Sequence, residues 1–339
     1  MAINARAAVR REVGGVERVA QVMARELPLV RPERYRVIEP PRGLAHRAGQ
    51  AWEQGLLPLL ARGAALIYSP ATLAPVASGR NVVVIHDVAA LRHPAWYSPT
   101  FVAWQRALLP AIARRARAVI TVSEFSRREL VEVLGPDPRD VHVVPLGVDE
   151  RFSPQADAEG ASRRLGLGPR PYALAVGSQI ARKNLGVLRL AARRLAGAGV
   201  ELVTAGSGRG YMRAGGRAPG RPLGYVPDEL LPGLYAGARA LVLPSLYEGF
   251  GLPCLEAMAS GTPVVASDRT ALPEVCGEAA LLVDPEDEDA VATALVAAAS
   301  DQALRERLTV AGLDHASRYR WRRTAELTDR VMSELLGAH

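Results

Sequence analysis

The sequence predicts an α/β protein made of two doubly wound parallel-sheet units with helices on both faces of each sheet. Short apolar runs alternate with longer amphipathic runs, and one such series precedes residues 154–171 and a second series follows them. The chain has 339 residues, enough for two domains of ordinary size. We therefore expect one Rossmann-like domain at residues 1–155, a second at 171–318 and a C-terminal helix at 319–339.

The first half of the chain contains six predicted strands. The segment Asn81–His86 encloses a continuous apolar run, as expected of a strand that is buried on both faces of a parallel sheet. The predicted strands are Ala2–Asn4, Tyr35–Glu39, Ala65–Ser69, Asn81–His86, Ala118–Val122 and Val141–Pro145. The predicted helices are Val16–Leu27, Gln50–Ala61, Thr100–Arg115 and Ser126–Leu134.

A polar stretch rich in glycine and proline, Pro154–Pro171, is interpreted as the linker between the two domains. The strands predicted after it are Tyr172–Gly177, Glu201–Ala205, Leu223–Tyr225, Ala240–Leu243, Val264–Ser267 and Ala280–Val283. Asn184–Ala198 is predicted to be a helix, and the tail Glu288–Leu336 is predicted to be helical.

Composition narrows the classes of function. The formal net charge of +7 fits nucleic acid, an anionic membrane surface or an anionic substrate. A nucleic-acid-binding motif and an aromatic stripe are both missing, so we expect no nucleic acid partner. The two cysteines, Cys254 and Cys276, form neither a metal spacing nor a disulfide framework, which favours a reducing compartment.

No apolar run approaches the roughly 18 residues of a membrane span, and the N-terminus has no apolar core of a signal peptide. We therefore expect a cytoplasmic protein. The arginine-rich stretches Arg6–Arg36 and Arg114–Arg117 fit the inner face of an anionic membrane and a solvated basic face equally well.

The most informative segment is Glu248-Gly-Phe-Gly-Leu-Pro-Cys-Leu-Glu256, in which two carboxylates bracket a glycine-rich turn that leads into a helix. Pro253 suits the first helical position, and Gly261 suits the position after the helix ends. The N–H groups at a helix start favour anions. A carboxylate would repel a phosphate bound there, so we expect Glu248 and Glu256 to accept hydrogen bonds from sugar and ribose hydroxyls. The alternative is a surface helix with two solvated glutamates.

A second motif, Gly177-Ser-Gln-Ile-Ala-Arg-Lys-Asn184, follows a predicted strand and opens a predicted helix. Arg182 and Lys183 together with the helix N–H groups would bind a pyrophosphate, and Asn184 is the expected N-cap. The alternative is a basic surface turn.

On these two motifs the chain resembles the retaining, nucleotide-sugar-dependent glycosyltransferases of the GT-B fold, in the Glu-x7-Glu family called group 1 or family 4. Its segment His86-Asp-Val-Ala-Ala-Leu-Arg-His-Pro94 is most similar to mannosyltransferases of polysaccharide assembly. The resemblance implies an N-terminal acceptor-binding domain and a C-terminal donor-binding domain that face each other across a cleft. It also implies that the last helix, Trp321–Leu336, crosses back to the first domain.

The resemblance implies a role for each matching residue, with Gln179 departing from the glutamate that many relatives have. The catalytic residues would be His86, Arg182, Lys183 and Glu248. The donor-binding residues would be Gly14, Gly15, Gly177, Ser178, Asn184, Gly206, Tyr225, Val226, Gly249, Phe250, Gly251, Leu252 and Glu256. The acceptor-binding residues would be Asp87, Arg10, Arg18 and Ser123, with Arg11 nearby.

Several of these positions also have a purely structural interpretation. The pair Gly14-Gly15 lets the backbone approach a ligand, but it also suits a simple turn. Ser123 or Ser126 fits a helix cap, and Gly224-Tyr-Val-Pro227 fits a strand that ends in a proline turn. The segment Gly206-Ser-Gly208 is a candidate donor loop.

The expected reaction transfers a hexose from a nucleotide diphosphate sugar to a hydroxyl of a glycan or lipid-linked acceptor, with retention of configuration. GDP-mannose is the favoured donor, and a UDP-hexose is the alternative. We expect no metal cofactor, because Arg182, Lys183 and the helix N-terminus can stabilise the leaving diphosphate. Two other hypotheses are a GT-B relative that rearranges or phosphorolyses sugars and a non-catalytic nucleotide-sugar-binding scaffold.

Overall fold

The computed structural model describes residues 1–10, 14–41, 49–206, 208, 212–213, 215–216 and 218–337. The chain divides into two compact units. The first contains Met1–Arg92, Pro99–Gly147 and Arg320–His339, and the second contains His93–Ser98 and Val148–Tyr319. Each unit contains one six-stranded parallel sheet with flanking helices, which confirms the predicted fold class.

The elements follow one another in an almost regular alternation. The strands are β1 Ala2–Asn4, β2 Arg36–Ile38, β3 Ile67–Ser69, β4 Asn81–Val84, β5 Ala118–Thr121, β6 Val141–Val143, β7 Tyr172–Val176, β8 Glu201–Ala205, β9 Arg221–Gly224, β10 Ala240–Leu243, β11 Val264–Ser267 and β12 Ala280–Val283. The α-helices are α1 Gly15–Val30, α2 Gly49–Ala51, α3 Leu57–Leu60, α4 Ala89–Arg92, α5 Pro99–Arg115, α6 Glu124–Leu134, α7 Ala158–Arg164, α8 Leu188–Gly197, α9 Leu231–Ala236, α10 Leu252–Ala259, α11 Leu272–Cys276, α12 Glu288–Ser300, α13 Gln302–Ser317 and α14 Trp321–Glu334.

The sheet of the first unit has the strand order β2-β1-β3-β4-β5-β6. In its register Ile3 of β1 pairs with Val37 of β2 on one side and Tyr68 of β3 on the other. The chain places β2 on one side of β1 and then returns to place β3 on the other side. The topological switch point therefore lies between β1 and β3. Ligands of open α/β sheets bind outside the carboxyl ends of the strands at such a point.

The C-terminal helix α14 packs on α1 of the first unit. Buried Asp329 of α14 accepts a 2.5 Å hydrogen bond from the Tyr35 hydroxyl and a 2.8 Å hydrogen bond from Arg31 Nε. Thr324 donates to the carbonyl of Pro145 at 2.8 Å. The last helix is therefore fixed to the first unit by buried polar contacts, as the resemblance implied.

The sheet of the second unit has the order β12-β11-β10-β7-β8-β9. Its core combines small and branched side chains of the sheet, such as Ala175 and Val242, with Leu188, Leu195 and Leu295 of the covering helices. From β7 the chain adds β8 and β9 on one side of the sheet, and it then returns to add β10, β11 and β12 on the other side. The switch point therefore lies between β7 and β10, whose following loops carry the two motifs.

Two sequence-based predictions of local structure are wrong, and others differ only in their bounds. The stretch Pro154–Pro171 is not a linker: it contains α7, which is capped by Asp157 and packs on α9 within the second unit. Asn184 does not start a helix, since two 3-10 turns, Ala181–Lys183 and Leu185–Val187, precede α8. The tail is helical as predicted, but it divides into the three helices α12, α13 and α14, and the strand predicted to end at His86 ends at Val84.

Candidate active site

The centre of the site in the second unit is an ion-pair cluster around Glu248. Glu248 follows β10, and its side chain is buried. Lys183 and Arg182 lie in the segment that follows β7. Lys183 Nζ lies 2.5 Å from Glu248 Oε1, and Arg182 Nη1 lies 3.1 Å from Glu248 Oε2. Arg182 also donates to the carbonyl of Tyr247 at 2.7 Å. The two motifs thus meet at the switch point through a direct contact that sequence reasoning did not foresee.

The charges of this cluster are set by burial and by the partners. Burial alone would raise the pKa of Glu248, but Lys183 and Arg182 outweigh it and lower the pKa to about 2. Burial lowers the pKa of Lys183, and the attraction of Glu248 offsets this only in part. Glu248 is therefore a carboxylate at any ordinary pH, suited to accept hydrogen bonds rather than to donate a proton.

The main chain around this cluster is strained at two positions. Within the described residues, the non-glycine residues with positive φ are Thr72, Asn184 and Thr270, at +66°, +52° and +61°. Asn184 directly follows Lys183, and Thr270 Oγ1 accepts a 3.1 Å hydrogen bond from the backbone N–H of Glu248. Such a conformation costs about 1–3 kcal/mol and tends to occur at functional sites. Asparagine adopts this conformation more readily than most residues, whereas nothing in the sequence indicates it for Thr270.

Asn184 does not act as the predicted N-cap. No side-chain capping hydrogen bond is present at Asn184, and its Nδ2 donates instead to the carbonyl of Pro285 at 2.6 Å. Because α8 begins four residues later at Leu188, Arg182 and Lys183 lie on a 3-10 turn and not at a helix N-terminus. A phosphate bound beside them would therefore not be held by the start of α8.

The predicted donor loops after β7, β8 and β9 pack backbone to backbone. The N–H of Gly177 donates to Ala205 and that of Gly206 donates to Gly224, at 2.9 and 2.7 Å. A Cβ at Gly206 would lie only 2.0 Å from the carbonyl oxygen of Gly177. Only glycine fits there. Of the candidate loop Gly206-Ser-Gly208, Ser207 lies outside the described residues, while Ser178 is partly buried beside Gly177.

The glycine-rich turn leads into α10 as the sequence indicates. Gly251 caps the helix with a φ of +110°, Leu252 and Pro253 form its first turn, and Gly261 follows its end at a φ of +74°. The predicted donor residues Gly249, Phe250 and Leu252 are buried, and the ring of Phe250 packs against Tyr319.

The second glutamate of the motif, Glu256, lies inside α10 and is buried. Its Oε2 accepts a 2.9 Å hydrogen bond from the Tyr235 hydroxyl. Tyr225 follows β9 and is half exposed, whereas its neighbour Val226 is buried. Tyr225 thus offers an open ring face near the end of the sheet, while Val226 anchors the turn.

In the first unit, His86 and Asp87 follow β4 at the carboxyl edge of the sheet. His86 is buried, and its Nε2 lies 2.9 Å from the carbonyl of Pro70. Burial lowers its pKa, so the ring is neutral at neutral pH. A carbonyl partner requires the proton on Nε2, which leaves Nδ1 as an acceptor. Asp87 accepts from the N–H of Ala89 at 3.1 Å.

The glycine pair of the first unit lies at the start of α1. Gly14 is the N-cap, Gly15 is the exposed first residue, and Glu17 Oε2 accepts from the N–H of Gly14 at 3.1 Å. Arg10 pairs with Glu17 at 3.1 Å, and Arg18 lies in the first turn of the helix. Arg11 lies outside the described residues.

Ser123 caps α6, as one interpretation predicted. Its Oγ accepts from the N–H of Ser126 at 3.0 Å, and Ser126 Oγ in turn donates to the carbonyl of His86 at 3.1 Å. Both hydroxyl groups are buried. A role of Ser123 in acceptor binding stays a prediction, and it is the contact of Ser126 that supports the loop carrying His86.

Sequence reasoning missed a buried polar cluster between the ends of β1 and β3. Asn4 Nδ2 donates to Glu53 Oε1 at 2.6 Å and to Ser69 Oγ at 3.2 Å, and Arg6 Nε lies 3.1 Å from Glu53 Oε1. Glu53 lies on a π-helical turn, Trp52–Leu56, a rare geometry that is frequent at functional sites. No motif joins these residues, so only the fold reveals the cluster.

The expectation of no metal took no account of an Asp-x-Asp triplet, Asp287-Glu-Asp289, which the chain contains. Asp287 caps α12 by accepting from the N–H groups of Asp289 and Ala290, and Asp289 pairs with Arg194 at 2.5 Å. The triplet therefore has a structural role at a helix start.

The two units have the fold of GT-B glycosyltransferases, since each contains one six-stranded parallel sheet with flanking helices. Residues 170–301 match the family model of glycosyl transferases group 1, and residues 30–152 match that of glycosyltransferase family 4. The chain belongs to this glycosyltransferase family.

Two relatives with similar sequences are mannosyltransferases, and a solved structure has a similar fold. The chain is 35% identical to O-antigen chain mannosyltransferase B of Escherichia coli over 71% of this chain and 67% of that protein. It is 33% identical to MMP alpha-(1->4)-mannosyltransferase of Mycolicibacterium hassiacum, over 65% of this chain and 54% of that protein. The solved structure of HepE of Anabaena with UDP-glucose has a TM-score of 0.74 at 16% identity, and the match covers 98% of this chain and 99% of that chain.

Proposed function

We propose that this chain is a retaining hexosyltransferase that moves mannose from GDP-mannose to a hydroxyl group of a glycan or lipid-linked acceptor. The observation that carries the proposal is the buried contact of Glu248 with Lys183 and Arg182 at the switch point of the second sheet. The similarity to two mannosyltransferases supports the choice of sugar.

In this proposal Lys183 and Arg182 bind the donor diphosphate and stabilise it as it leaves. Glu248 is ionised and accepts hydrogen bonds from hydroxyl groups of the transferred sugar. Glu256 binds the ribose hydroxyls, and the open ring of Tyr225 lies against the nucleobase. His86, neutral with Nδ1 as acceptor, contacts the transferred sugar, while Asp87, Arg10 and Arg18 serve the acceptor. The transition state is oxocarbenium-like.

We propose that transfer requires no metal, because two cations already adjoin Glu248. A rate that survives exhaustive chelation with EDTA supports this part of the proposal. A rate that disappears with EDTA and returns with Mg²⁺ or Mn²⁺ contradicts it and leaves the sugar assignment untouched.

The direct test is a calorimetric titration of the purified protein with GDP, UDP, ADP and their sugar conjugates, without metal. We expect GDP and GDP-mannose to bind more tightly than the others. Proton NMR of the first product then reports stereochemistry: an α-linked product from the α-configured donor supports retention, and a β-linked product refutes it.

A UDP-hexose is the second candidate donor, because HepE, with the same fold, binds UDP-glucose. Selective binding of UDP in the same titration would favour this candidate. Slow hydrolysis of a bound donor in the absence of acceptor distinguishes an enzyme from a non-catalytic scaffold, which would bind the nucleotide sugar and leave it intact.

Peripheral contact with an anionic membrane is a further part of the proposal. No helix within the described residues is both long and apolar enough to span a bilayer. Arg6, in the arginine-rich stretch, cannot reach lipid because it is buried against Glu53. A better surface is the end of α3, where Leu59 and Leu60 are about half exposed and Arg36 donates to the carbonyl of Leu60.

Cosedimentation with vesicles tests this surface. We expect binding to vesicles that contain phosphatidylserine and less binding to pure phosphatidylcholine. The variant L59E/L60E should lose binding while keeping its unfolding midpoint. Equal binding by the variant and the wild type would exclude this surface.

A further inference from the structure

Thr270 adopts a conformation that its side chain disfavours. It lies in the loop between β11 and α11, and its φ of +61° is unusual for a β-branched residue, whose Cβ substituents crowd the backbone in the left-handed region. A glycine would adopt this φ freely. The surrounding structure therefore holds a threonine where the backbone alone would favour glycine, which points to a use for the side chain.

The hydroxyl of Thr270 makes two hydrogen bonds. Oγ1 donates to the carbonyl of Arg269 at 2.7 Å, which fixes the hydroxyl proton, and it accepts from the N–H of Glu248 at 3.1 Å. The next N–H, of Ala271, reaches the carbonyl of Glu248 at 3.4 Å. Both polar groups of the Glu248 main chain therefore end on this loop. Leu272, the first residue of α11, also lies against the helix cap, 2.5 Å from where a Gly251 Cβ would be.

The carboxylate of Glu248 is held quite differently from its main chain. Its partners are Lys183 and Arg182, the two cations that would bind the donor diphosphate. When a diphosphate shares these cations, their hold on the carboxylate weakens. The contact with Thr270 does not depend on the cations, because it acts on the backbone.

We infer that Thr270 is a positioning residue that holds the Glu248 main chain through its hydroxyl, so that the carboxylate keeps its place when the donor engages Lys183 and Arg182. This inference rests on the proposed function. It gives the strained φ a purpose, since in this backbone conformation Oγ1 accepts from the N–H of Glu248 while the N–H of Ala271 reaches the carbonyl of Glu248.

The test compares three substitutions. Thr270→Ser keeps the hydroxyl, Thr270→Val keeps the branched shape without it, and Thr270→Gly relieves the backbone strain without it. We expect the serine variant to retain kcat within about threefold of wild type. We expect the valine and glycine variants to lose at least about tenfold in kcat with little change in KM, in line with the loss of one hydrogen bond that sets catalytic geometry.

The glycine variant separates positioning from stability, because its unfolding midpoint should equal or exceed that of the wild type. Thr309→Val is the matched control: Thr309 Oγ1 donates to the carbonyl of Gly261 at 3.0 Å, so the variant also loses a hydroxyl bond to the backbone. We expect it to lose stability and keep its kcat. A glycine variant of wild-type kcat, or a kcat that follows the midpoint across all four variants, overturns the inference.

A second readout is independent of turnover. Hydrogen exchange measured by mass spectrometry should speed up in the peptide containing Glu248 for the valine and glycine variants and remain unchanged for the serine variant. If the wild type transfers no sugar, the proposed function fails while this exchange result still stands. If the wild type is active and the exchange is the same in all variants, the inference alone fails.

Discussion

Both sheets place a buried carboxylate and a cation at their switch points, but the two pairs differ in how they are held. In the second unit Glu248 contacts two cations, and its backbone N–H donates to the strained Thr270 in the loop after β11. In the first unit Glu53 contacts Arg6 and Asn4 from a π-helical turn. Glu248 lies in a contiguous sequence motif. The contacts of Glu53 instead join residues that no motif links. In our proposal, the ion pair of the second unit exchanges partners with a ligand, whereas the ion pair of the first unit joins secondary-structure elements.

The largest effect should come from breaking the pair of the first unit. Glu53→Ala leaves the charge of buried Arg6 uncompensated, and we expect a loss of about 3–5 kcal/mol in the free energy of unfolding, measured in urea. Glu53→Gln retains an oxygen for Asn4 and should lose less. The control is Glu132→Ala, which breaks an exposed contact with Arg92 and should cost below about 1 kcal/mol. If Glu53→Ala lowers the free energy of unfolding no more than the control does, the contact of Glu53 with Arg6 has no structural role.

The pair of the second unit should instead control the reaction. We expect Glu248→Ala and Lys183→Ala each to lower the transfer rate at least about 100-fold, near 2.7 kcal/mol of activation free energy, since each removes an electrostatic partner of the transition state. The control Asp289→Ala breaks the exposed pair with Arg194 and should leave the rate unchanged. Near-wild-type rates in both site variants, once folding is verified, would sink the assignment of this pair.

The comparison also shows what the sequence can and cannot predict. Strands β1, β8, β10, β11 and β12 have the predicted bounds because short apolar runs between helices define them. Glu248 and Lys183 were predicted as site residues because each lies in a contiguous motif. Thr270 was not, since no sequence signal marks a threonine at positive φ. The contact between Arg6 and Glu53 could not be predicted either, because it depends on β1 and β3 being neighbours in the sheet.

The misinterpreted linker has a similar cause. Its glycines and prolines were taken as signs of an irregular connection, whereas Asp157 caps α7 and glycines allow close packing. A Cβ at Gly233 of α9 would lie only 2.3 Å from the carbonyl oxygen of Asp157. A glycine needed for contact between helices cannot be distinguished by composition from a glycine in a loop.

A smaller effect should come from His86 in the first unit. We expect His86→Ala to lower the rate about tenfold through the loss of the hydrogen bond from a sugar hydroxyl to Nδ1. His86→Asn, whose Oδ1 can stand near the position of Nδ1, should recover part of the rate. Because burial lowers the His86 pKa, the wild-type rate should show no step near pH 6.5. Equal rates for the alanine and asparagine variants would argue for a structural role through Pro70.

The smallest effect concerns the charge of Lys183, where burial lowers the pKa below its usual 10.5. As the pH rises through that lowered value, the ammonium loses its proton, and both Glu248 and an incoming diphosphate lose a cation. The value of kcat/KM, which reports the free enzyme, should therefore fall on the alkaline side before pH 10.5. Lys183→Arg stays protonated there and should move this fall to higher pH. Its rate at neutral pH should be a few-fold lower, because Lys183 is packed closely against Gly177. Coincident alkaline limbs in the two proteins would show that another group limits the rate.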